Sequence, residues 1–114
     1  MEGFNVGVIG SRSFRDYKFL EAVLDTTPFK IKKIISGGAN GADKLSIKYA
    51  KSRDIEWEEF LPEHKKYKHA YHHRNRLIAE ASDIIIAFWD GHSTGTKYTI
   101  DYAKRIGKEV KVFR

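Results

Sequence analysis

The chain contains no cysteine. That single absence excludes a disulfide framework, a thiolate metal site and a cysteine nucleophile. Long apolar runs are missing too. The longest, Ile84-Ile85-Ile86-Ala87-Phe88-Trp89, is strand-sized, far short of the ~18 residues a membrane-crossing helix needs. The opening Met-Glu-Gly-Phe-Asn lacks the charged-then-apolar pattern of a secretory leader. There are only two prolines, Pro28 and Pro62, and no repeat, linker or low-complexity tract. No Ser-His-Asp arrangement suggests itself from the spacing. These absences lead to the expectation of a soluble, cytoplasmic protein with no membrane partner.

What is present fits one domain, spanning 1–114. Hydrophobic residues make up 41% of the 114 and charged residues 32%, an ordinary globular balance. A domain of this size buries roughly two-thirds of its unfolded surface without staples. The formal net charge is +6 and the pI about 9.5. Such a balance favours anionic partners, nucleotide phosphates or a nucleic-acid backbone, although a solvated basic surface has the same composition.

Strand-like apolar runs alternate with helical patterns along the chain. Phe4 to Ile9 is a strand closed by Gly10-Ser11, and Asp16 stands where a helix cap would, before Phe19, Leu20, Val23 and Leu24. Thr27-Pro28 ends that helix. A second strand, Lys33 to Ser36, runs into Gly37-Gly38-Ala39-Asn40-Gly41, and a helix follows through Ala50. A third strand is expected over Glu56 to Leu61, then a polar basic segment leading into a helix that ends near Ser82. Asp83 to Trp89 reads as a central strand, Thr96 to Ile106 as the last helix with Gly107 at its C-terminus, and Glu109 to Phe113 as the closing strand. Continuous apolar runs suit strands covered on both faces. The expected fold is therefore a Rossmann-like, doubly wound α/β sheet of five parallel strands in the order 3-2-1-4-5.

In such a fold ligands bind beyond the carboxyl ends of the strands. Three loops are nominated: Gly10-Ser11-Arg12-Ser13, Gly37 to Asp43, and Asp90 to Thr96. In the second, Gly37, Gly38 and Gly41 with Ala39 and Asn40 let the chain turn sharply and let a phosphate approach the N–H groups that open the next helix. A plain tight turn is the bland alternative. The loop matches neither Gly-x-Gly-x-x-Gly nor the Gly-x-x-x-x-Gly-Lys-[Ser/Thr] phosphate loop. In the third, Ser93, Thr94, Gly95 and Thr96 add hydroxyls able to donate to phosphate or ribose, or Thr94 simply caps the helix.

Ala70, Arg74, Leu77, Ile78 and Ala81 share a helix face. Arg74 thus lies on the sheet-facing stripe, where a guanidinium needs a partner. An anionic ligand would supply one, and so would a salt bridge to Asp43 or Asp90. His64, His69, His72 and His73 sit among Lys65, Lys66 and Lys68. A solvated basic face is expected there rather than a metal site, for which no residues are assigned. The same stretch interleaves aromatics with cations, which also suits single-stranded nucleic acid.

Taken in order, Gly10-Ser11-Arg12-Ser13-Phe14, Ser36 to Asp43, Arg74-Asn75 and Ala87 to Thr96 resemble the SLOG superfamily, particularly its small YspA-type, cpYpsA-related members. The resemblance runs from Val6 to Phe113. It implies a Rossmann-like domain that binds nucleotide-derived ligands. It also implies kinship with phosphoribohydrolases that cleave cytokinin nucleotides, with DprA-like single-strand DNA-processing proteins, and with sensors of NAD-derived signals. The hydrolases carry an Arg-Asn or Arg-Lys pair and then Pro-Gly-Gly-x-Gly-Thr-x-x-Glu. Arg74 and Gly95-Thr96 match, but the glutamate position holds Thr99, with Asp101 and Glu80 nearby out of register.

The expected function is binding, as sensor or sponge, of a phosphate-bearing nucleotide derivative such as an ADP-ribose or NAD-derived signal, with no cofactor required. Arg12, Asp43, Arg74, Asn75, Trp89 and Asp90 join the three loops in the site, with Trp89 or Tyr98 offering a base-stacking ring. An N-glycosidic hydrolase using Arg74 and Asp101 is one alternative, and single-stranded nucleic-acid binding another. The resemblance further implies a homo-oligomer.

Overall fold

The computed structural model describes residues 3–114, so the first two residues of the expected domain lie outside it. Five strands alternate with four helices: β1 Phe4–Gly10, α1 Tyr17–Asp25, β2 Ile31–Ser36, α2 Ala42–Ser52, β3 Glu56–Glu59, α3 Ala70–Ala81, β4 Ile84–Phe88, α4 Thr94–Arg105 and β5 Glu109–Phe113. All pairings are parallel and the strand order is β3-β2-β1-β4-β5. The order follows from chirality: right-handed crossovers place α1 and α2 on one face and α3 and α4 on the other.

The most apolar run shows why period-two alternation is absent from the sequence. Ile84, Ile86 and Phe88 of β4 join the core beneath α1 and α2 with Val6, Val8, Leu20, Leu24 and Ile34. Ile85 and Ala87 point the other way and pack with Ile9, Ile35, Ile78 and Ile100 beneath α3 and α4. Both faces of the strand are buried, so every position is apolar.

The helix signals are local. The Asp16 carboxylate accepts from the Phe19 N–H at 3.1 Å, the cap that its position implies. Gly107 has φ 85°; its N–H donates to Lys104 O at 3.1 Å and the Lys108 N–H to Ala103 O at 2.9 Å. That double closure is a Schellman motif, which favours glycine because φ is positive. β3 stops at Glu59 rather than Leu61, with the Phe60 N–H still bonded to Ser36 O at 2.9 Å. α4 begins at Thr94, two residues earlier than the hydrophobic pattern marks, because Thr94 and Gly95 are first-turn positions that carry no apolar periodicity.

Candidate functional site

β1 and β4 are adjacent in the sheet, and their chains leave toward opposite faces. Between their carboxyl ends the loops diverge, and the crevice is a pocket of about 660 Å³. Its walls are made by the loop after β1, the loop before α2, the first turns of α3 and the loop into α4.

Ser11 fastens two of those walls together. Its N–H donates to Phe88 O at 3.0 Å, and its Oγ accepts from the Asp90 N–H at 3.1 Å. Asp90 in turn folds its own loop: one carboxylate oxygen accepts from the N–H groups of His92 and Ser93, both at 2.8 Å. Those bonds hold its carboxyl below the usual range. The consequence reaches α4. Ser93 is its N-cap residue but makes no side-chain cap bond, its hydroxyl instead lying 3.1 Å from Thr96 Oγ1. The first-turn N–H groups of α4 thus lack a side-chain cap beside the pocket. Gly95 faces open space, with no atom within 4 Å of where a Cβ would stand.

Arg74 is only 6% exposed, on the second turn of α3. Nη1 donates to Gly37 O at 2.6 Å and Nε to Asn75 Oδ1 at 2.8 Å. Among the described residues no carboxylate stands within ion-pair distance of it, so neither Asp43 nor Asp90 makes the direct salt bridge that the sequence leaves open. No protein atom accepts from Nη2 among those residues either, and the only fully buried side-chain polar atom without a partner is Asn5 Oδ1. The third nitrogen therefore keeps accessible surface, on a residue that lines the pocket. Burial pulls Arg74 below the ordinary arginine value, yet a guanidinium stays charged.

Asp43 and Gly37 complete this floor. Asp43, 7% exposed, accepts from the Ala39 N–H at 3.1 Å. Burial pushes its carboxyl up to about 6, against the opposing pull of that N–H and of the Arg74 and Arg12 guanidinium groups. A Cβ on Gly37 would lie 2.5 Å from Arg74 Nη1 and 2.9 Å from Asp43 Oδ2. Gly37 is therefore the space in which cation and carboxylate approach the backbone.

The pocket is lined by Gly10, Ser11, Arg12, Ser13, Ala39 and Asp43, together with Arg74, Asn75, Asp90 and Ser93 to Thr96. Four other expected positions, Gly37, Gly38, Asn40 and Gly41, lie outside the lining: a Cβ on Gly41 would meet the carbonyls of Ser11 and Arg12, one on Gly38 would meet Glu59 and Leu61, and Asn40 is exposed. Trp89 is also outside the lining. Its Nε1 donates to Ser93 O at 2.9 Å and its ring packs on the α3–α4 core, so it braces the loop. Tyr98 stacks on His72 at 4.2 Å. Tyr71 and His72 line the pocket where sequence reasoning named other rings; the spacing of Tyr71 three residues before Arg74 was the available signal.

Of the positions relevant to cleavage, Arg74 and Thr99 line the pocket, whereas the carboxylates of Asp101 and Glu80 fall elsewhere. Thr99 Oγ1 donates to Gly95 O at 3.0 Å, a bond inside its own helix. Asp101 is exposed and paired with Lys97 at 2.7 Å, and Glu80 accepts from the Tyr102 hydroxyl at 2.5 Å. Neither lines the pocket. Gly91-His92-Ser93-Thr94-Gly95 spells Gly-x-Ser-x-Gly after a strand, but Ser93 has φ −58° and ψ 119°, an ordinary extended conformation rather than a strained elbow. Among the described residues no three His, Asp or Glu side chains converge as metal ligands. No helix there is long and apolar enough to cross a membrane.

A five-stranded parallel sheet with its pocket at the β1/β4 switch point defines a Rossmann-like α/β protein. The chain belongs to the YspA, cpYpsA-related SLOG family, whose model matches residues 4–67. That match contains the loops after β1 and β2; Arg74 and the loop into α4 lie beyond it. Membership points to a nucleotide-related role, either binding or hydrolysis. Among solved structures, DNA processing protein A (DprA) from Streptococcus pneumoniae is similar, with a TM-score of 0.80 at 21% identity. The likeness covers 95% of this chain and 49% of that one, so the chain spans about half the length of that protein and shares its fold. No curated protein sequence matches the chain.

Proposed function

We propose that the pocket binds a phosphate-bearing nucleotide derivative of the ADP-ribose or NAD-derived class, and senses or sequesters it rather than cleaving it. The observation that carries this is Arg74. A guanidinium almost wholly removed from water is costly unless it is paired. Here two of its nitrogens are fixed on neutral acceptors, Gly37 O and Asn75 Oδ1, while the third has no protein acceptor among the described residues and the side chain lines the cavity. Such a preorganised cation next to an uncapped helix start suits a phosphate oxygen. Gly95 leaves the space for close approach.

Binding without cleavage is supported by where the carboxylates stand. Activating water or assisting a leaving base requires a free carboxylate within reach of the bond. Thr99 occupies the position expected to supply one. Asp90 is engaged by the N–H groups of its loop, and Asp43 by that of Ala39.

Calorimetry against NAD, ADP-ribose and cyclic ADP-ribose tests the reading. At least one should bind, and Arg74→Ala, with its fold verified by circular dichroism, should weaken it by about a hundredfold, the upper range for a charge-assisted contact. Arg74→Lys keeps the charge but not the fork, and should fall between. No heat from any of the three, or a variant equal to wild type, overturns the reading.

A further inference from the structure

We propose that Tyr71 gathers Arg12 and Arg74 into a two-armed clamp that makes the pocket select a pyrophosphate over a monophosphate; this rests on the nucleotide reading of the same pocket.

The two arginines differ in how they are held. Arg74 is buried and anchored by hydrogen bonds, as described above. Arg12 leaves the loop after β1, is exposed, and lines the same pocket. Among the described residues no carboxylate lies within ion-pair distance of it. Arg53 shows the contrast, reaching Glu21 at 3.0 Å and Asp25 at 2.7 Å. What Arg12 has instead is a ring. Its guanidinium carbon lies 5.7 Å from the centroid of Tyr71, and the guanidinium carbon of Arg74 lies 5.7 Å from the same centroid.

Tyr71 is well placed for this. It stands in the first turn of α3, three residues before Arg74, so both share a helix face. The ring is 47% exposed, and His64 packs on it at 4.9 Å in an edge-on arrangement, which fixes its tilt from outside the pocket. An exposed cation–ring contact is weak. Two guanidinium groups sharing one ring also repel each other. An anion that engages both removes the repulsion and replaces a weak contact by charge-assisted hydrogen bonds. Arg74 lies at the floor and Arg12 at the rim, so a single phosphate seated on Arg74 leaves Arg12 without an anion. A second phosphate joined to the first supplies one.

The test compares AMP with ADP, which share base and ribose and differ by one phosphate, in wild type, Arg12→Ala, Tyr71→Phe and Tyr71→Ala. Wild type should bind ADP about tenfold more tightly than AMP, the gain expected of one charge-assisted contact. Arg12→Ala should abolish that preference while leaving AMP affinity within about threefold, the scatter expected of an exposed side chain that monophosphate does not reach. Tyr71→Phe keeps the ring and should match wild type, whereas Tyr71→Ala should reproduce Arg12→Ala. Equal weakening of both nucleotides by Arg12→Ala, or an undiminished preference in Tyr71→Ala, overturns the clamp but leaves the pocket's nucleotide reading intact. Failure of wild type to bind AMP and ADP overturns the clamp, and failure to bind NAD, ADP-ribose and cyclic ADP-ribose as well overturns both.

Discussion

A carboxylate enclosed by a glycine loop and two guanidinium groups titrates unlike one in water, and Asp43 is such a group. Its carboxyl is raised from 3.8 to about 6, chiefly by burial. The folded state therefore holds this proton over a pH range in which the unfolded chain has released it. Stability consequently declines as pH rises from about 4 to about 6, and the loss persists above that, on the order of 3 kcal/mol in all. Asp25 works in the opposite sense: Arg53 and the Tyr49 hydroxyl hold its carboxyl below the ordinary value, so its contribution is lost as pH falls. The Asp43 effect must be read as a difference. Asp43→Asn keeps an acceptor for the Ala39 N–H and removes the titration. Its stability relative to wild type should rise across pH 4 to 7, measured by urea unfolding. A difference that stays flat with pH contradicts the burial account.

At the scale of elements, two glycines make opposite predictions for the same substitution. Gly37 ends β2 where Arg74 and Asp43 crowd the backbone, so Gly37→Ala must displace one of them. We expect a loss of about 1–3 kcal/mol, as for other overpacked sites, together with loss of ligand affinity. Gly95 lies in the first turn of α4 with nothing within 4 Å of a would-be Cβ. Gly95→Ala should be neutral or stabilise by up to about 1 kcal/mol, yet weaken ligand binding, because that open space belongs to the pocket. Thermal unfolding paired with calorimetry checks both. Destabilisation by Gly95→Ala would contradict the open space there, and full affinity would mean that the space is not used by a ligand.

The elements also show what could be read in advance. Strand order and the loops at the switch point were legible because burial on both faces writes a continuous apolar run, and because glycine, Asp16 and Gly107 mark chain reversals locally. Arg74 was legible as a cation on an apolar stripe. Its partners were not, since Gly37 O and Asn75 Oδ1 are neutral acceptors and the eye looks for acids. Trp89 looked like a base platform by residue type, but the turn of its loop brings its indole N–H to the Ser93 carbonyl. Tyr71 takes the place at the pocket because it precedes Arg74 by one turn of helix.

The whole molecule is basic, with a formal net charge of +6, and that excess bears on the nucleic-acid alternative. Rings in the basic segment already have stacking partners: Tyr67 stacks on His73 at 3.7 Å and His72 on Tyr98 of α4 at 4.2 Å. Bases would have to displace those partners, so we expect any association with a single-stranded oligonucleotide to be electrostatic, falling steeply on a log–log plot against salt. Affinity retained at high salt would instead support base stacking.

The central claim is that phosphates sit between the ends of β1 and β4 on Arg74 and the start of α4. A chain of 114 residues is well suited to a nitrogen-15 correlation titration with ADP-ribose. The account predicts that the amides of Ser11, Gly95 and Thr96 and the Arg74 side-chain Nε–H move together with one saturating curve, and that Arg74→Ala abolishes those shifts. Shifts confined to another face of the sheet, or none at saturating ligand, would contradict it.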